Sequence, residues 1–227
     1  MPKTVIIIAD TALEIIPYEI RNDNLIKLLS NKNNKKPSET ILDSTFHYKA
    51  MRNLKDNEKR GRPDILHYCL LNILGIPLVK EKPQDVRILV HTIDDKLIEI
   101  NPLTRIPKHY VRFVGLMEKL LLSNKILSEN NVLLQILPKK IKEEIDYIPT
   151  TQRFIFTSKG IKNRYLDLIQ ENFDKDIVII VGGFPHGNFS SSILELSDIH
   201  LSIYKEGLEA WIVISRILYH RELTLKL

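Results

Sequence analysis

The sequence predicts an α/β fold in which a mainly parallel sheet carries helices on both faces. Short β-branched runs alternate with helical segments, most regularly in the last third of the 227 residues, and this alternation is typical of parallel sheets. The run from Ile177 to Val181 is continuously apolar and stops at Gly182 and Gly183, as expected for a strand that is buried on both faces. Hydrophobic residues make up 44% of the chain and charged residues 27%, which indicates a globular protein.

The first half of the chain divides into strands and helices by its apolar spacing. Pro63 and Gly75 bracket an apolar segment; a proline suits the first turn of a helix and a glycine suits its exit. Asp94 and Asp95 predict the turn of a hairpin. The predicted elements are the strands Thr4 to Ala9, Val86 to Thr92 and Leu97 to Ile100, the helices Ile20 to Ser30 and Pro63 to Gly75, and the polar loop Asn31 to Glu39.

The second half follows the same rules. Apolar residues recur at helical spacing from Val111 to Leu121, so a helix is predicted next to the basic segment Thr104 to Arg112. A Lys/Glu-rich connector ends at Pro149. The other predicted elements are the strands Val132 to Leu137, Phe154 to Ser158, Ile177 to Val181 and Ile199 to Ile203, and the helices Lys162 to Asn172 and Leu208 to His220.

Charge and cysteine content indicate where the protein works. The net charge is +5 and the isoelectric point is near 9.1, so we expect an anionic partner. The single cysteine, Cys69, has no partner for an internal disulfide, which indicates a reducing compartment. The apolar run at the amino terminus is too short for a signal peptide or a membrane span. We therefore expect a soluble cytoplasmic protein without a membrane partner.

The glycine-rich loop after Val181 is the first candidate site. In open α/β sheets small molecules bind beyond the carboxyl ends of the strands, where a residue without Cβ allows close approach. Gly182, Gly183 and Gly187 fit this role, in a loop that also holds Phe184. A tight turn without a ligand is the alternative for this stretch alone.

Two basic clusters form the second candidate site. Arg60 and Arg62 lie two residues apart, with the carboxylate of Asp64 close behind; a guanidinium matches phosphate oxygens, and an aspartate can hold it in position. The second cluster has spacings of three and four residues, which on a helix would place its members on one face. It consists of Arg105, Lys108 and Arg112. Together the clusters are suited to clamp a nucleic-acid backbone. A solvated charged surface is the alternative.

Three runs in this order resemble a known family. They are RGRPDILHYCLLNILGIPL, INPLTRIPKHYVRFVGLM and VGGFPHGNF, and they are similar to the ribosome-biogenesis rRNA pseudouridine-N1-methyltransferases of the SPOUT class. The likeness extends from about Phe46 to the carboxyl terminus. It implies a carboxyl-terminal trefoil knot, a homodimer, S-adenosylmethionine bound in the knot and a small-subunit rRNA hairpin as substrate. A small-subunit ribosomal protein is a further partner that the resemblance allows.

The resemblance also implies a domain organisation and site residues. Residues 1–227 would form one domain with an inserted β-rich and helical extension, a cofactor-binding knot at about 150–227 and RNA-binding elements at about 46–125. The cofactor positions would be Thr157, Gly182, Gly187, Ile203, Tyr204, Lys205, Glu206, Gly207 and Leu208. The RNA positions would be Arg60, Arg62, Arg105, Lys108 and Arg112, with Asp64 stabilising an arginine. Lys108 stands at a position where the family commonly has an arginine, and Asn188 at a position where the family often has an aspartate.

The implied reaction is methyl transfer to N1 of a pseudouridine. Pseudouridine is joined to its sugar through carbon, which leaves the N1–H free to be replaced by a methyl group. Asp64 and His186 are candidates for the general base, and neither is assigned; Asp64 also suits an arginine partner. With five cationic contacts to a single-stranded loop, a plot of the logarithm of the RNA-binding constant against the logarithm of the salt concentration should have a slope of roughly −3 to −4.

Other functions are weighed against this one. An rRNA-binding assembly factor with little or no catalysis would share both sites, whereas a small-molecule methyltransferase would lack the salt dependence. The chain has neither a GxxxxGK[ST] phosphate loop nor a GxGxxG fingerprint, which argues against an NTPase or a nucleotide-dependent dehydrogenase. His67 and Cys69 have no companions at metal-ligand spacing, so no metal site is predicted.

Overall fold

The architecture comes from a computed structural model that describes residues 3–129, 131–148, 152–162, 164–172 and 175–227. Eight strands of these residues form one sheet. They are β1 (Thr4–Thr11), β2 (Val86–Thr92), β3 (Leu97–Ile100), β4 (Lys125–Ser128), β5 (Asn131–Leu137), β6 (Gln152–Lys162), β7 (Ile177–Gly182) and β8 (His200–Ser202).

Eight of the helices that the structure describes lie between strands along the chain, and the last one follows β8. They are α1 (Asn24–Asn33), α2 (Ser44–Met51), α3 (Pro63–Ile73), α4 (Pro77–Glu81), α5 (Tyr110–Ser123), α6 (Ile141–Asp146), α7 (Tyr165–Glu171), α8 (Ser191–Leu194) and α9 (Ala210–Thr224). Every helix in the described ranges falls short of the length and apolar character that crossing a bilayer requires.

The sheet has a parallel half and an antiparallel half. Its strand order is β4-β5-β3-β2-β1-β7-β6-β8. Neighbours from β2 to β8 in this order pair in parallel, and β3, β5 and β4 continue the sheet with antiparallel pairs. The parallel half therefore brings the carboxyl ends of β1, β7, β6 and β8 to one edge, where a ligand site is expected.

Both faces of the sheet are covered, as predicted. Alternate residues of a strand point to opposite faces: Ile6 and Ile8 pack with α3, α5, α7 and α9, while Val5 and Ile7 pack with α6 and α8. All eight residues of β1 are buried. This explains why the run from Val5 to Ala9 is continuously apolar instead of alternating.

A smaller apolar cluster lies outside the sheet. It joins α1 and α2 to the segment after β1 through residues such as Ile16, Ile26 and Met51. Glu118 of α5 anchors this unit, because its carboxylate accepts hydrogen bonds from the backbone N–H of Ile41 and from the ammonium group of Lys35. The unit packs beside α5 and carries the chain into the first basic cluster.

The predicted elements agree with the structure where local patterns are strong. Strands β2 and β3 have the predicted bounds, and the helix from Pro63 and the strand from Ile177 begin where predicted. The polar loop at residues 31–39 was predicted wrongly in part, because α1 continues to Asn33 and ends at Asn34, a left-handed residue with φ of 49°. Asparagine tolerates this conformation well.

Other differences occur where tertiary contacts decide. Strand β6 continues past Ser158 because Ile161 and Lys162 pair with β8, so α7 begins later than the predicted helix. The Lys/Glu-rich connector contains α6, whose Ile141 and Ile145 are buried against the sheet. Its end at Pro149 lies outside the described residues. β4, α2, α4 and α8 were not predicted, since each is short and lacks a clear period.

Candidate active site

A cleft opens at the carboxyl ends of β7 and β8 and beside the middle of β6, where residues 156–158 line it. Its other walls come from the loops that follow β7 and β8 and from the start of α9. All predicted cofactor positions except Lys205 line it: Thr157, Gly182, Gly187, Ile203, Tyr204, Glu206, Gly207 and Leu208. The Lys205 ammonium lies 3.7 Å from the Glu206 carboxylate, and both side chains are mostly exposed.

The loop after β7 needs a glycine at its start. The N–H of Gly183 donates to the carbonyl of Ala9 at 2.8 Å, and its own carbonyl accepts from the N–H of Ala12 at 2.9 Å. A Cβ at Gly183 would lie 2.6 Å from Oγ1 of Thr11 and 2.8 Å from Cγ2 of Ile8. The glycine therefore makes a close turn against β1, and the loop it begins also lines the cleft.

Sequence reasoning did not assign several lining residues. Phe184 and Phe189 pack edge to face with centroids 5.3 Å apart and give the loop an apolar wall. Ser202 ends β8, and its hydroxyl donates to the carbonyl of Tyr204 at 2.6 Å, which fixes the turn into the last loop. Phe184 stood in the singled-out loop; Ser202 carried no signal beyond its position at a strand end. His186 also lines the cleft and is exposed.

A buried ionic network lies under this loop. Asp10 accepts hydrogen bonds from the Lys59 ammonium at 3.0 Å, from the Ser190 backbone N–H at 2.6 Å and from the Ser190 hydroxyl at 2.9 Å. Nδ1 of His91 lies 3.5 Å from the same carboxylate. Burial by itself would raise the pKa of Asp10, but the contacts with His91, Ser190 and Lys59 outweigh burial and hold the pKa well below its ordinary value.

The two arginines of the first basic cluster have different environments. Arg60 donates to both carboxylate oxygens of Glu14, at 2.7 and 2.6 Å, and this hydrogen-bonded pair raises the pKa of Arg60. Arg62 donates to both oxygens of Asp64, at 2.8 and 2.7 Å, so the expected arginine–aspartate pair is present. The Arg62 side chain is 37% exposed and the Arg60 side chain 16%.

The helical spacing predicted for the second cluster is wrong. Helix α5 begins only at Tyr110, so Arg105 and Lys108 precede it and Arg112 lies in its first turn. Pro107 contributes to the difference on the side of Arg105, because a proline disfavours helical conformation in the residue before it. Ring nitrogen Nε2 of His67 lies 2.7 Å from the Pro107 carbonyl and ties this segment to α3. Arg105, Lys108 and Arg112 are all exposed.

The fold brings the two basic segments together. The Tyr110 hydroxyl donates to Asp43 at 2.5 Å, and burial together with this hydrogen bond raises the pKa of Tyr110 above its ordinary value. The rings of His67 and Phe113 stack with centroids 4.3 Å apart and join α3 to α5. A shallow depression lies between the segments, lined by Ser44, Thr45, Tyr48, Arg62, Asp64, Tyr68 and Tyr110.

The depression and the cleft adjoin the same helix. Arg62 and Asp64 stand at the start of α3, and Ile65, the next residue of that helix, lines the cleft. Glu209 of the cleft contributes to raising the pKa of Arg62, after the larger effect of Asp64. Within the described ranges no three His, Cys, Asp or Glu side chains are grouped so that they could hold a metal ion.

A family model described as EMG1/NEP1 methyltransferase matches residues 6–222. The chain belongs to this family. The match confirms the resemblance and extends it towards the amino terminus, beyond the start near Phe46. Several archaeal members have the name ribosomal RNA small subunit methyltransferase Nep1. The Staphylothermus marinus protein is 39% identical over 218 residues, covering 96% of this chain and 94% of its own; the Thermococcus sibiricus protein is 42% identical over 223 residues, covering 96% of each.

A solved structure of an EMG1/NEP1 protein has the same fold. It is the crystal structure of Archaeoglobus fulgidus Nep1 bound to S-adenosylhomocysteine, with 32% sequence identity and a TM-score of 0.87. The likeness covers 100% of this chain and 99% of that one. The EMG1/NEP1 chain described here therefore has the predicted α/β fold of the SPOUT class.

Proposed function

We propose that this protein is an S-adenosylmethionine-dependent methyltransferase that modifies N1 of a pseudouridine in small-subunit rRNA. One observation carries the proposal: the cleft formed by the predicted cofactor positions adjoins the depression that holds Arg62 and Asp64. Membership of the EMG1/NEP1 family supports it, as do the relatives named small-subunit rRNA methyltransferases.

The cleft suits an adenosyl cofactor. Phe184, Pro185 and Leu208 provide apolar walls, and residues of β6, β7 and β8 line the rest of the opening. Backbone donors and acceptors can read an adenine edge and a ribose, which explains why side chains as different as Tyr204 and Glu206 occur there. The crystal structure of the Archaeoglobus protein contains S-adenosylhomocysteine, the form that remains after the methyl group has left. When bound, S-adenosylmethionine supplies an activated methyl group on its sulfonium.

The two basic segments suit a single-stranded loop of RNA. Arg105, Lys108 and Arg112 are exposed, and Tyr110, between Lys108 and Arg112 in the chain, lines the depression. Cationic side chains of this kind neutralise phosphates without reading sequence. Tyr48 and Tyr68 line the depression with exposed fractions of 63% and 47%, and exposed aromatic rings are where unstacked RNA bases bind.

The reaction needs N1 of the pseudouridine to be held in line with the methyl group and the sulfur that carries it. In the transfer the bond from sulfur to the methyl carbon would break as a bond from N1 to that carbon forms, which would leave S-adenosylhomocysteine, and the N1 proton would pass to solvent. Holding the two reacting atoms in this geometry supplies much of the rate. Both Asp64 oxygens accept from Arg62, which supports Asp64 as a positioning group. No residue is assigned as general base.

The organisation and partners follow from the same proposal. Residues 1–227 form one domain, with the cofactor-binding knot at about 150–227 and the RNA-binding elements at about 46–125. The antiparallel strands β3, β4 and β5 are the inserted extension. Ile212, Tyr219 and Leu223 are exposed at helical spacing along α9, which supports a homodimer through this helix. A small-subunit ribosomal protein and a cytoplasmic location complete the proposal.

The test is transfer of labelled methyl from S-adenosylmethionine to two otherwise identical rRNA hairpins. One hairpin carries pseudouridine in its loop and the other carries uridine. We expect label only in the pseudouridine hairpin. Label in both would place the methyl group on a different atom. Label in neither, with tight hairpin binding, would favour a non-catalytic assembly factor.

A further inference from the structure

We propose that Asp10 and Lys59 are positioning residues that hold the loop at residues 183–190 against the first basic cluster, Arg60 and Arg62. Through this contact they couple cofactor binding to RNA binding. The inference rests on the proposed function, because it takes the cleft as the cofactor site. Neither residue lines the cleft or the depression. Their effect must therefore pass through the loop and the backbone around it.

Asp10 holds the far end of the loop. It is the penultimate residue of β1 and has a left-handed backbone with φ of 49°, a conformation that aspartate adopts more readily than most residues. Both carboxylate oxygens accept hydrogen bonds from Ser190, one from the backbone N–H and one from the hydroxyl. The Asp10 side chain is 4% exposed, so the loop is fixed to β1 at a buried charge.

Lys59 supports the loop from below. Its ammonium donates to Asp10 and lies 4.5 Å from the ring centroid of Phe184, which adds a cation–π contact to the ion pair. Its aliphatic stem passes under Gly187, where Cδ would lie 3.9 Å from a Cβ built on the glycine. The side chain is 13% exposed. Lys59 thus contacts the loop at its start and near its middle, while Asp10 contacts its end.

The same residues reach the RNA-binding segment. Lys59 immediately precedes the Arg-Gly-Arg motif. The Ala12 carbonyl accepts from the N–H of Arg62 at 3.2 Å, and the Ala12 N–H donates to the Gly183 carbonyl at 2.9 Å. Residues 10–14 are therefore held between the two sites by backbone and side-chain contacts. A change in the loop on cofactor binding would be transmitted to Arg62, and the reverse holds by thermodynamic linkage.

The test compares Lys59→Met and Asp10→Asn with the wild type, with Lys36→Met as a matched control. Lys36 is 78% exposed and pairs only with Glu39 among the described contacts. S-adenosylhomocysteine affinity is measured by calorimetry with and without a saturating rRNA hairpin, and thermal unfolding is recorded for each variant. We expect Lys59→Met to weaken S-adenosylhomocysteine binding by about tenfold and to raise the KM for S-adenosylmethionine more than it lowers kcat. Lys59→Arg should restore most of the affinity.

Coupling is tested in the same experiment. In the wild type we expect the hairpin to tighten S-adenosylhomocysteine binding about fivefold or more, and in Lys59→Met and Asp10→Asn we expect this factor to fall towards one. A folded Lys59→Met protein with wild-type affinity and wild-type coupling would overturn the proposal, as would a wild type without coupling. If Asp10→Asn does not fold, Lys59→Met decides alone. A wild type that binds no S-adenosylhomocysteine would instead refute the proposed function.

Discussion

Glu14 holds the guanidinium group of Arg60 with hydrogen bonds of 2.7 and 2.6 Å. The Glu14 side chain is 4% exposed, so the charge of Arg60 is committed to a buried carboxylate. Arg62, two residues later, pairs with the more exposed Asp64. Two arginines that look equivalent in the sequence thus differ in their surroundings: Arg60 pairs with a buried carboxylate, and Arg62 lines the depression beside Asp64.

Loss of the Arg60 guanidinium should destabilise the protein. In Arg60→Met the Glu14 carboxylate would remain buried without its partner, and we expect the free energy of unfolding to fall by about 1–3 kcal/mol. Arg105→Met is the control, because its side chain is exposed and surface changes of this kind stay within about 0.5 kcal/mol. Urea denaturation monitored by circular dichroism measures both. Equal stabilities would contradict the structural role of Arg60.

Salt dependence should separate the RNA contacts from the structural arginine. Each phosphate contact to a single strand contributes about 0.7 to the magnitude of the log–log slope. We expect Arg105→Gln and Arg112→Gln each to reduce that magnitude by this amount, with little change in thermal stability. Arg60→Gln should leave the slope almost unchanged. Filter binding of the hairpin over a series of KCl concentrations gives the slopes. Wild-type binding that does not change with KCl concentration would refute the proposal that the two basic clusters contact the RNA backbone.

The buried carboxylate of Asp10 should make stability depend on pH. Its pKa is depressed in the folded state, so its contribution is complete above the ordinary aspartate value of about 4 and is lost as the pH falls through the folded-state value. The stability difference between the wild type and Asp10→Asn should therefore be largest near about pH 6 and shrink towards about pH 2. This difference is measured from the urea concentrations at which the two proteins are half unfolded, recorded for both at the same pH values. A difference that stays constant over this range would contradict the depressed pKa.

Gly160 should be sensitive to a single added methyl group. A Cβ there would come within 2.4 to 2.6 Å of backbone atoms of Leu201, which pushes β6 and β8 apart just before the cleft loop at Ile203. We expect Gly160→Ala to cost about 1–3 kcal/mol of stability and to weaken S-adenosylhomocysteine binding. Gly115→Ala is the control, because nothing lies within 4 Å of its Cβ and the helix should gain up to about 1 kcal/mol. Similar effects of both variants would contradict the close approach.

The Cys69 thiol should be unreactive in the folded protein. Burial raises its pKa, and its exposed fraction is 0%, so neither the thiolate nor a path for a reagent is available. Iodoacetamide should label the protein in urea and leave it unlabelled under native conditions at mildly alkaline pH. Mass spectrometry measures the labelled fraction. Rapid native labelling would show that α3 opens easily.

Local patterns determined most elements of the fold. Strands β2 and β3 have the predicted bounds, and β7 and α3 begin where predicted, because β-branched runs, turn residues, Pro63 and Gly75 are all short-range signals. The resemblance of three runs supplied the family and the cleft positions. These features could be predicted because each depends on residues that are close together in the chain or on motifs that a family shares.

Tertiary structure decided how the sites are assembled. The sequence predicted a helical face for Arg105, Lys108 and Arg112, whereas α5 begins only at Tyr110. The segment before it is tied to α3 by the contact between the Pro107 carbonyl and His67. Nothing in the sequence pointed to Asp10, whose partners Lys59 and Ser190 lie far away along the chain. Periodicity shows which residues are buried, but only the packed sheet determines which buried charges meet, because pairing depends on distances between elements that no local pattern contains.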